Sequence, residues 1–147
     1  MVAFAIFRGL LAGLAATGAM TLVELVARSR WGFYGLLEWQ ENQAIASRIT
    51  GRPVEASVLA GLGFHFLHGL LAGIVFVLAL PIFPPEFSLA VLGPGFGLVL
   101  FSITLVIHRP ITGRRGWSGS LGFVALGVSL AGHLVYGAVL TLLVVWP

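Results

Sequence analysis

Cysteine, lysine and aspartate are missing altogether from this sequence, and charged residues of any kind make up only 9% of it. Without cysteine there is no disulfide, no thiol nucleophile and no thiolate metal site, so the redox character of its compartment leaves no trace. A soluble domain carries roughly 25% charged residues. The shortfall here, with 59% hydrophobic residues and a mean hydropathy of +1.05, points to an integral membrane protein. The enzyme motifs that a short sequence can display are also missing. There is no Gly-Lys-Ser/Thr phosphate loop, no Gly-x-Ser-x-Gly elbow, no His-Glu-x-x-His and no acidic pair within the apolar segments to hold Mg²⁺. Glu24 is the only carboxylate expected near membrane depth, and catalysis by hydrolysis or group transfer is not expected. The formal charge of +3 comes from arginines and glutamates. No basic stripe interleaved with aromatics accompanies it, which excludes nucleic acid as the expected partner.

What is present is apolar sequence in helix-length runs. Crossing a hydrocarbon core of about 30 Å takes roughly 20 apolar residues in a helix, the one single-segment structure that satisfies its own backbone. Four segments qualify, at about 2–27, 54–80, 88–107 and 118–145. The first tolerates Arg8, whose long side chain reaches the interface. A cleaved signal peptide is the competing reading of that segment, but "MVAFAIF" lacks the basic start such a peptide needs, so a retained helix is expected. The second segment is closed by the three prolines of "PIFPPEF". The expectation is a single all-α domain over 1–147, a bundle of four transmembrane helices, with the lipid bilayer and further membrane subunits or other copies of the chain as partners.

Arginine placement sets the expected orientation. Arg28, Arg30, Arg48 and Arg52 follow the first segment; Arg109, Arg114 and Arg115 follow the third. The positive-inside rule puts both connections in the cytoplasm of a cell membrane and both termini outside. The longer connection, about 31–49, places Trp31, Phe33, Tyr34, Leu36, Leu37 and Trp39 ahead of a polar half with Glu38, Glu41 and Gln43. That pattern predicts an interfacial amphipathic helix, whose polar half would be the largest polar surface open to a partner.

Small residues repeat at helical spacing. Every fourth residue of the second segment is Ser57, Gly61, His65, Gly69, Gly73 and Val77. An offset of 68 in the fourth segment gives Ala125, Ser129, His133, Gly137, Thr141 and Val145. Both rows contain His-x-x-x-Gly. A weaker match at an offset of 84 sets Gly9 and Gly13 against Gly93 and Gly97, and Glu24 against His108. These rows suggest a duplicated helical hairpin about a pseudo-twofold axis along the membrane normal. Rows of Gly, Ala, Ser and Thr let backbones approach where lipid supplies no hydrophobic drive between helices. Gly9, Gly13, Gly61, Gly69, Gly73, Gly93, Gly97 and Gly137 are therefore the expected packing positions.

Ionisable residues inside apolar helices are expensive and face the protein interior or a wet cavity. His65, His68, His133 and Glu24 are the candidates, with His108 expected at the interface. The imidazoles of His65 and His133 admit three roles: a hydrogen bond that fixes helix register, haem or other tetrapyrrole ligation, or proton or substrate transfer. Glu24 either pairs with Arg28 or faces a histidine. The strings "GLLAGLAATGAMTLVE" and "GHLVYGAVL" resemble those of small four-helix prokaryotic membrane proteins of the YagU type. That resemblance implies a polytopic membrane protein without established catalysis and transfers no site residues. Three functional expectations stand side by side: an accessory or self-associating membrane subunit, a histidine-ligated haem carrier in electron transfer, and a small transporter or channel subunit.

The orientation is open to direct measurement. A reporter fused after Pro147 is expected to behave as external, and one inserted between Thr112 and Arg114 as cytoplasmic. The opposite pattern would invert the placement of every candidate residue.

Overall fold

The computed structural model describes residues 2–32, 38–84, 86–108 and 120–145, with side chains omitted at 108, 120 and 121. All regular structure among them is helical: α1 (Val2–Trp31), α2 (Glu38–Thr50), α3 (Val58–Ala79), α4 (Leu89–Ile103) and α5 (Ser120–Val145). Short 3₁₀ turns at Val54–Ser57 and Leu80–Ile82 flank α3, and a π-helical turn at Thr104–His108 continues α4. Four stretches are long and apolar enough to cross a membrane: Val2–Trp31, Val54–Ile82, Leu89–Ile107 and Gly122–Val145. They follow the four expected segments closely, because a predominantly apolar run of that length satisfies its own backbone as a helix.

The helix ends have local causes. Gly32 adopts φ +65° and Gly51 φ +66°, left-handed conformations that glycine reaches without a Cβ clash, and each falls just past a helix end. The Gly32 N–H bonds back to the Arg28 carbonyl at 2.9 Å. At the start of α4 the Ser88 hydroxyl accepts from the Ala90 N–H at 3.3 Å, which satisfies one of the orphan donors of the first turn.

The long helices lie side by side in the order α3, α1, α5, α4: α1 packs along both α3 and α5, and α4 along α5. Helices α3 and α4 do not pack along each other, although Phe76 and Phe96 meet between them with ring centroids 5.2 Å apart. The buried face of α1 runs through Gly9, Ala12, Gly13, Ala16, Thr17, Met20, Thr21, Glu24 and Ala27. That is one stripe at helical spacing, and α5 buries a similar one from Ala125 through Ser129, His133 and Gly137 to Thr141. The core joins Ala12, Ala16 and Met20 of α1 to Phe76 and Val77 of α3 and to Tyr136 and Leu140 of α5.

Glycine makes these approaches possible. A Cβ on Gly13 would run into the Gly69 carbonyl and Gly73, and one on Gly69 into the Thr17 side chain. Across α4 and α5 a Cβ on Gly93 would strike the Thr141 hydroxyl and the Gly137 carbonyl. Gly9, Gly73, Gly97 and Gly137 are each blocked by facing backbone, and Gly61 is blocked by Gln43 of α2. All the glycines expected at packing positions are therefore close contacts. The matched contacts are Gly13 on Gly69 and Gly73, and Gly93 on Gly137 and Thr141. They relate α1 to α4 by an offset of 80, one helical turn away from the 84 that the glycine spacing suggests. Backbone contact, not the identity of the small residue, sets the register.

The connection after α1 departs from expectation. Phe33, Tyr34, Gly35, Leu36 and Leu37 lie outside the described residues, as do Arg109, Arg114 and Arg115. The helix that follows them buries its polar residues instead of displaying them. Glu38, Gln40, Glu41, Asn42 and Gln43 are buried with Trp39, whereas Ile49 is 67% exposed. Helix α2 packs along α3, and its first turn is driven against α1, α4 and α5 by the hydrogen bonds described below. The polar half of this segment is thus an internal surface, and Glu24 is not the only carboxylate enclosed by the long helices.

Substituting Gly93 or Gly69 with leucine is expected to destabilise the protein by at least the roughly 1–3 kcal/mol of ordinary overpacking, because the Gly137 carbonyl and Thr141 side chain stand against Gly93 and the Thr17 side chain against Gly69. Gly63→Leu meets open space and should leave the thermal midpoint in detergent within a few degrees. Equal midpoints for the three variants would contradict the packing.

Candidate functional site

The carboxylate of Glu24, three turns along α1 from Ala12, is fully buried and faces the start of α2. Its Oε1 accepts the Glu38 N–H at 3.1 Å, and the Trp39 N–H also bonds to this carboxylate. A helix N-terminus exposes unpaired N–H groups and a partial positive charge, so a carboxylate placed there is favoured on both counts. Its hydrogen bonds run to backbone rather than to a histidine, while the guanidinium of Arg28 lies over the Trp39 ring at 5.5 Å. The second oxygen, Oε2, is buried and has no hydrogen-bond partner among the described residues.

Capping α2 in this way carries the Glu38 side chain inward. Its Oε1 accepts from the Ser129 hydroxyl of α5 at 2.8 Å, and its Oε2 accepts from the Thr104 hydroxyl at 3.3 Å. Thr104 opens the π-helical turn after α4, and single π turns inside α-helices are frequent at functional sites. The same hydroxyl lies 3.4 Å from His133 Nε2. His133 Nδ1 lies 2.8 Å from the Ser129 carbonyl one turn earlier. A carbonyl oxygen can only accept, so Nδ1 carries a hydrogen, and the state of Nε2 is left to the Thr104 side.

One hydroxyl hydrogen therefore serves two neighbours. If Thr104 donates to an ionised Glu38, then His133 Nε2 must itself be protonated and donate to Thr104. If Thr104 donates to a bare Nε2, then Glu38 must be protonated and donate to Thr104. Both contacts are filled in either arrangement, and each holds one proton in total between carboxyl and imidazole. Without that proton, one contact would set two lone pairs against each other in a buried place, which is costly. Both contacts are at the long end of hydrogen-bond distances.

His65 is held differently. Its Nε2 lies 3.1 Å from the Thr21 hydroxyl, which donates to the Thr17 carbonyl at 2.8 Å; with that hydrogen committed, Nε2–H of His65 is the donor. Thr17 in turn donates to the Gly13 carbonyl at 2.7 Å. The Tyr136 hydroxyl bonds to the Gly69 carbonyl at 2.5 Å and ties α5 to α3.

These groups surround one cavity of about 200 Å³. Glu38, Asn42, Thr104, His65 and His133 line its polar part, and Met20, Ala72, Leu100 and Ile103 its apolar part. His65 and His133 are each buried, whereas His68, which also lines the cavity, is exposed and stacks near Phe64. The structure thus brings together three of the histidines singled out in the sequence. Glu24 sits beside them through α2, and the side chain of His108 lies outside the described residues. Glu38, Asn42, Thr104 and Ser129 are additions. Ser129 had a signal, one turn before His133 in the repeated row; the other three had none. Among the described residues no three His or Glu side chains are grouped to hold a metal ion.

The model of a family described as "Family of unknown function (DUF6789)" matches residues 4–146. The chain belongs to this family. No curated protein and no solved structure matches it. The YagU-type resemblance, carried by short small-residue strings, has no counterpart in these matches.

Replacing Glu24 with alanine should strip the cap from α2 and leave the Glu38 and Trp39 amides buried without an acceptor. The expected cost is about 1–2 kcal/mol, read as faster hydrogen exchange over Glu38–Thr50 with the long helices still protected. Unchanged exchange in α2 would contradict the capping role.

Proposed function

We propose that this member of the DUF6789 family is a four-span integral membrane protein of transport type, a helical bundle whose buried acid–imidazole site loads and releases a proton. The observation that carries this reading is the Glu38–Thr104–His133 chain, which has two complete hydrogen-bonded arrangements differing only in which end holds the proton. Ionisable groups enclosed by membrane-crossing helices commonly line ion pathways and proton relays. The two matched glycine contacts support a hairpin duplicated in the same orientation. In that arrangement His65 and His133 come from corresponding places on α3 and α5, and Thr104 links the second to the Glu38 carboxylate.

Two other readings have less behind them. A haem held between His65 and His133 would need both Nε2 atoms, which already face Thr21 and Thr104. The cavity, at about 200 Å³, is also below the roughly 300 Å³ at which pockets for drug-sized ligands begin. An accessory or self-associating subunit would use the apolar outer faces of the helices. Those faces are equally what lipid contact requires, so they favour no particular protein partner.

Infrared difference spectroscopy across a pH titration tests the relay. The wild-type protein in liposomes should show a protonated carboxyl band that titrates. Glu38→Gln should remove the component of it whose titration His133→Gln shifts, and exposed Glu55→Gln should leave it unchanged. A titrating band identical in wild type and Glu38→Gln would refute the assignment.

A further inference from the structure

Between α1 and α5 the outer surface carries a groove of about 600 Å³, a volume within the roughly 300–1,000 Å³ of ligand sites. No charged residue lines it. Ala27 and Val128 are buried and form its floor, where they cluster with Trp39 of α2. Leu22, Val26, Trp31 and Val124 stand exposed along its walls, so the groove opens outward. The two helices run antiparallel here, with Gly132 against Met20 and Val128 clustered with Ala27. The groove therefore runs lengthwise, from Leu22 and Ala131 to Trp31 and Val124. At 1.5 Å per residue the rise from Leu22 to Trp31 is about 14 Å. That is close to half of a hydrocarbon core of about 30 Å, the depth of one leaflet.

Gly127 deepens the groove from the α5 side. A Cβ there would meet nothing within 4 Å, whereas one on Gly137 of the same helix would strike the backbone of α4. Glycine is unfavourable in a helix interior, and at Gly127 no close approach among the described residues calls for it. Its effect on shape is the room it leaves in the groove. Arg30 stands at the groove's end. It follows Val26 by four residues and Ala27 by three, which sets it on the groove side of α1, in the last turn before the span ends at Trp31. Its side chain is exposed and, unlike those of Arg8 and Arg28, has no partner among the described residues.

An apolar trough one leaflet deep that ends in an exposed guanidinium matches an acyl chain and a phosphate joined end to end. A second copy of the chain fits it less well. Docked about a twofold axis along the membrane normal, it would set its own Arg30 at the same depth on the shared face, and no acidic residue lines the groove to balance the two charges.

We propose that the groove between α1 and α5 binds one anionic phospholipid, with an acyl chain lying from Trp31 towards Leu22 and the phosphate held by Arg30. The N–H fork of a guanidinium bonds two phosphate oxygens at once, and Trp and Arg at the end of a span sit at headgroup depth. The expected orientation puts this end of α1 in the cytoplasmic leaflet, the one that carries anionic lipid. Binding requires the membrane-spanning bundle proposed above and is independent of its relay.

Native mass spectrometry of the full-length, delipidated protein in detergent reads this binding, with dioleoylphosphatidylglycerol and dioleoylphosphatidylcholine as probes. Wild type should retain one phosphatidylglycerol at least about fivefold more tightly than phosphatidylcholine. Arg30→Gln should remove that preference. Gly127→Leu, which enters open space, should weaken phosphatidylglycerol at least about fivefold, with Ala131→Leu as a second groove-filling variant should the first fail to fold. Gly63→Leu, also in open space but on α3, should change nothing. Equal wild-type affinities, a preference that survives Arg30→Gln, or unchanged binding in a folded groove-filled variant would each overturn the proposal. So would a dimer that Gly127→Leu dissociates, since a second copy would then fill the groove. The membrane premise is read separately by alkaline carbonate extraction of cell membranes: release of the protein refutes insertion itself, whereas retained protein without a lipid preference refutes the lipid site alone.

Discussion

A buried carboxylate and a buried helix N-terminus are each costly alone, and in this protein each is the other's remedy. Glu24 accepts the first N–H groups of α2, an interaction worth up to about 2 kcal/mol in partly buried geometry. The contact draws α2 off the surface and under the long helices. Everything polar at the site follows from that placement. With the first turn of α2 fixed against α1, the Glu38 side chain reaches Ser129 and Thr104, and Asn42, one turn on, reaches the cavity.

The glycine contacts are the second condition. Where α1 meets α3 and α4 meets α5, backbone lies against backbone, so the two pairs are drawn tight while the α3–α4 side is left without such contact. Gly61 extends the same device to α2, since a Cβ there would strike the Gln43 backbone. Gln43 in turn donates to the Val54 carbonyl at 2.5 Å. Close packing on three sides and less on the fourth leaves room for a cavity lined by polar groups at one end. Phe76 and Phe96 bridge that fourth side, adding apolar contact without closing the helices on each other.

The long helices were legible in the sequence because a predominantly apolar run of about 20 residues satisfies its backbone as a membrane-length helix. The histidines and the small-residue rows were legible because both recur at a period of four. The burial of α2 was not. "EWQENQ" has the composition of a solvated surface, and what buries Glu38 is a pair of hydroxyls 66 and 91 residues away, a relation that no local pattern encodes. Reading Glu24 as the only enclosed carboxylate followed from the same blindness, since its partner is the backbone of a segment that looked external. The register between α1 and α4 was missed for a different reason. Equivalent glycines need not make equivalent contacts, and here the contacts match one turn away from the sequence alignment.

The central claim is that α2 turns its polar residues inward, and a chain without cysteine allows it to be tested by labelling. Single cysteines at Asn42, Gln43 and Arg48 can be treated with a membrane-impermeant thiol reagent added to the side of the membrane that holds the connection between α1 and α3. Arg48→Cys, on the exposed face, should react readily, whereas Asn42→Cys and Gln43→Cys should stay protected until the protein is denatured. Equal labelling at all three positions in the folded protein would mean that α2 lies on the surface, and the site built on it would not exist.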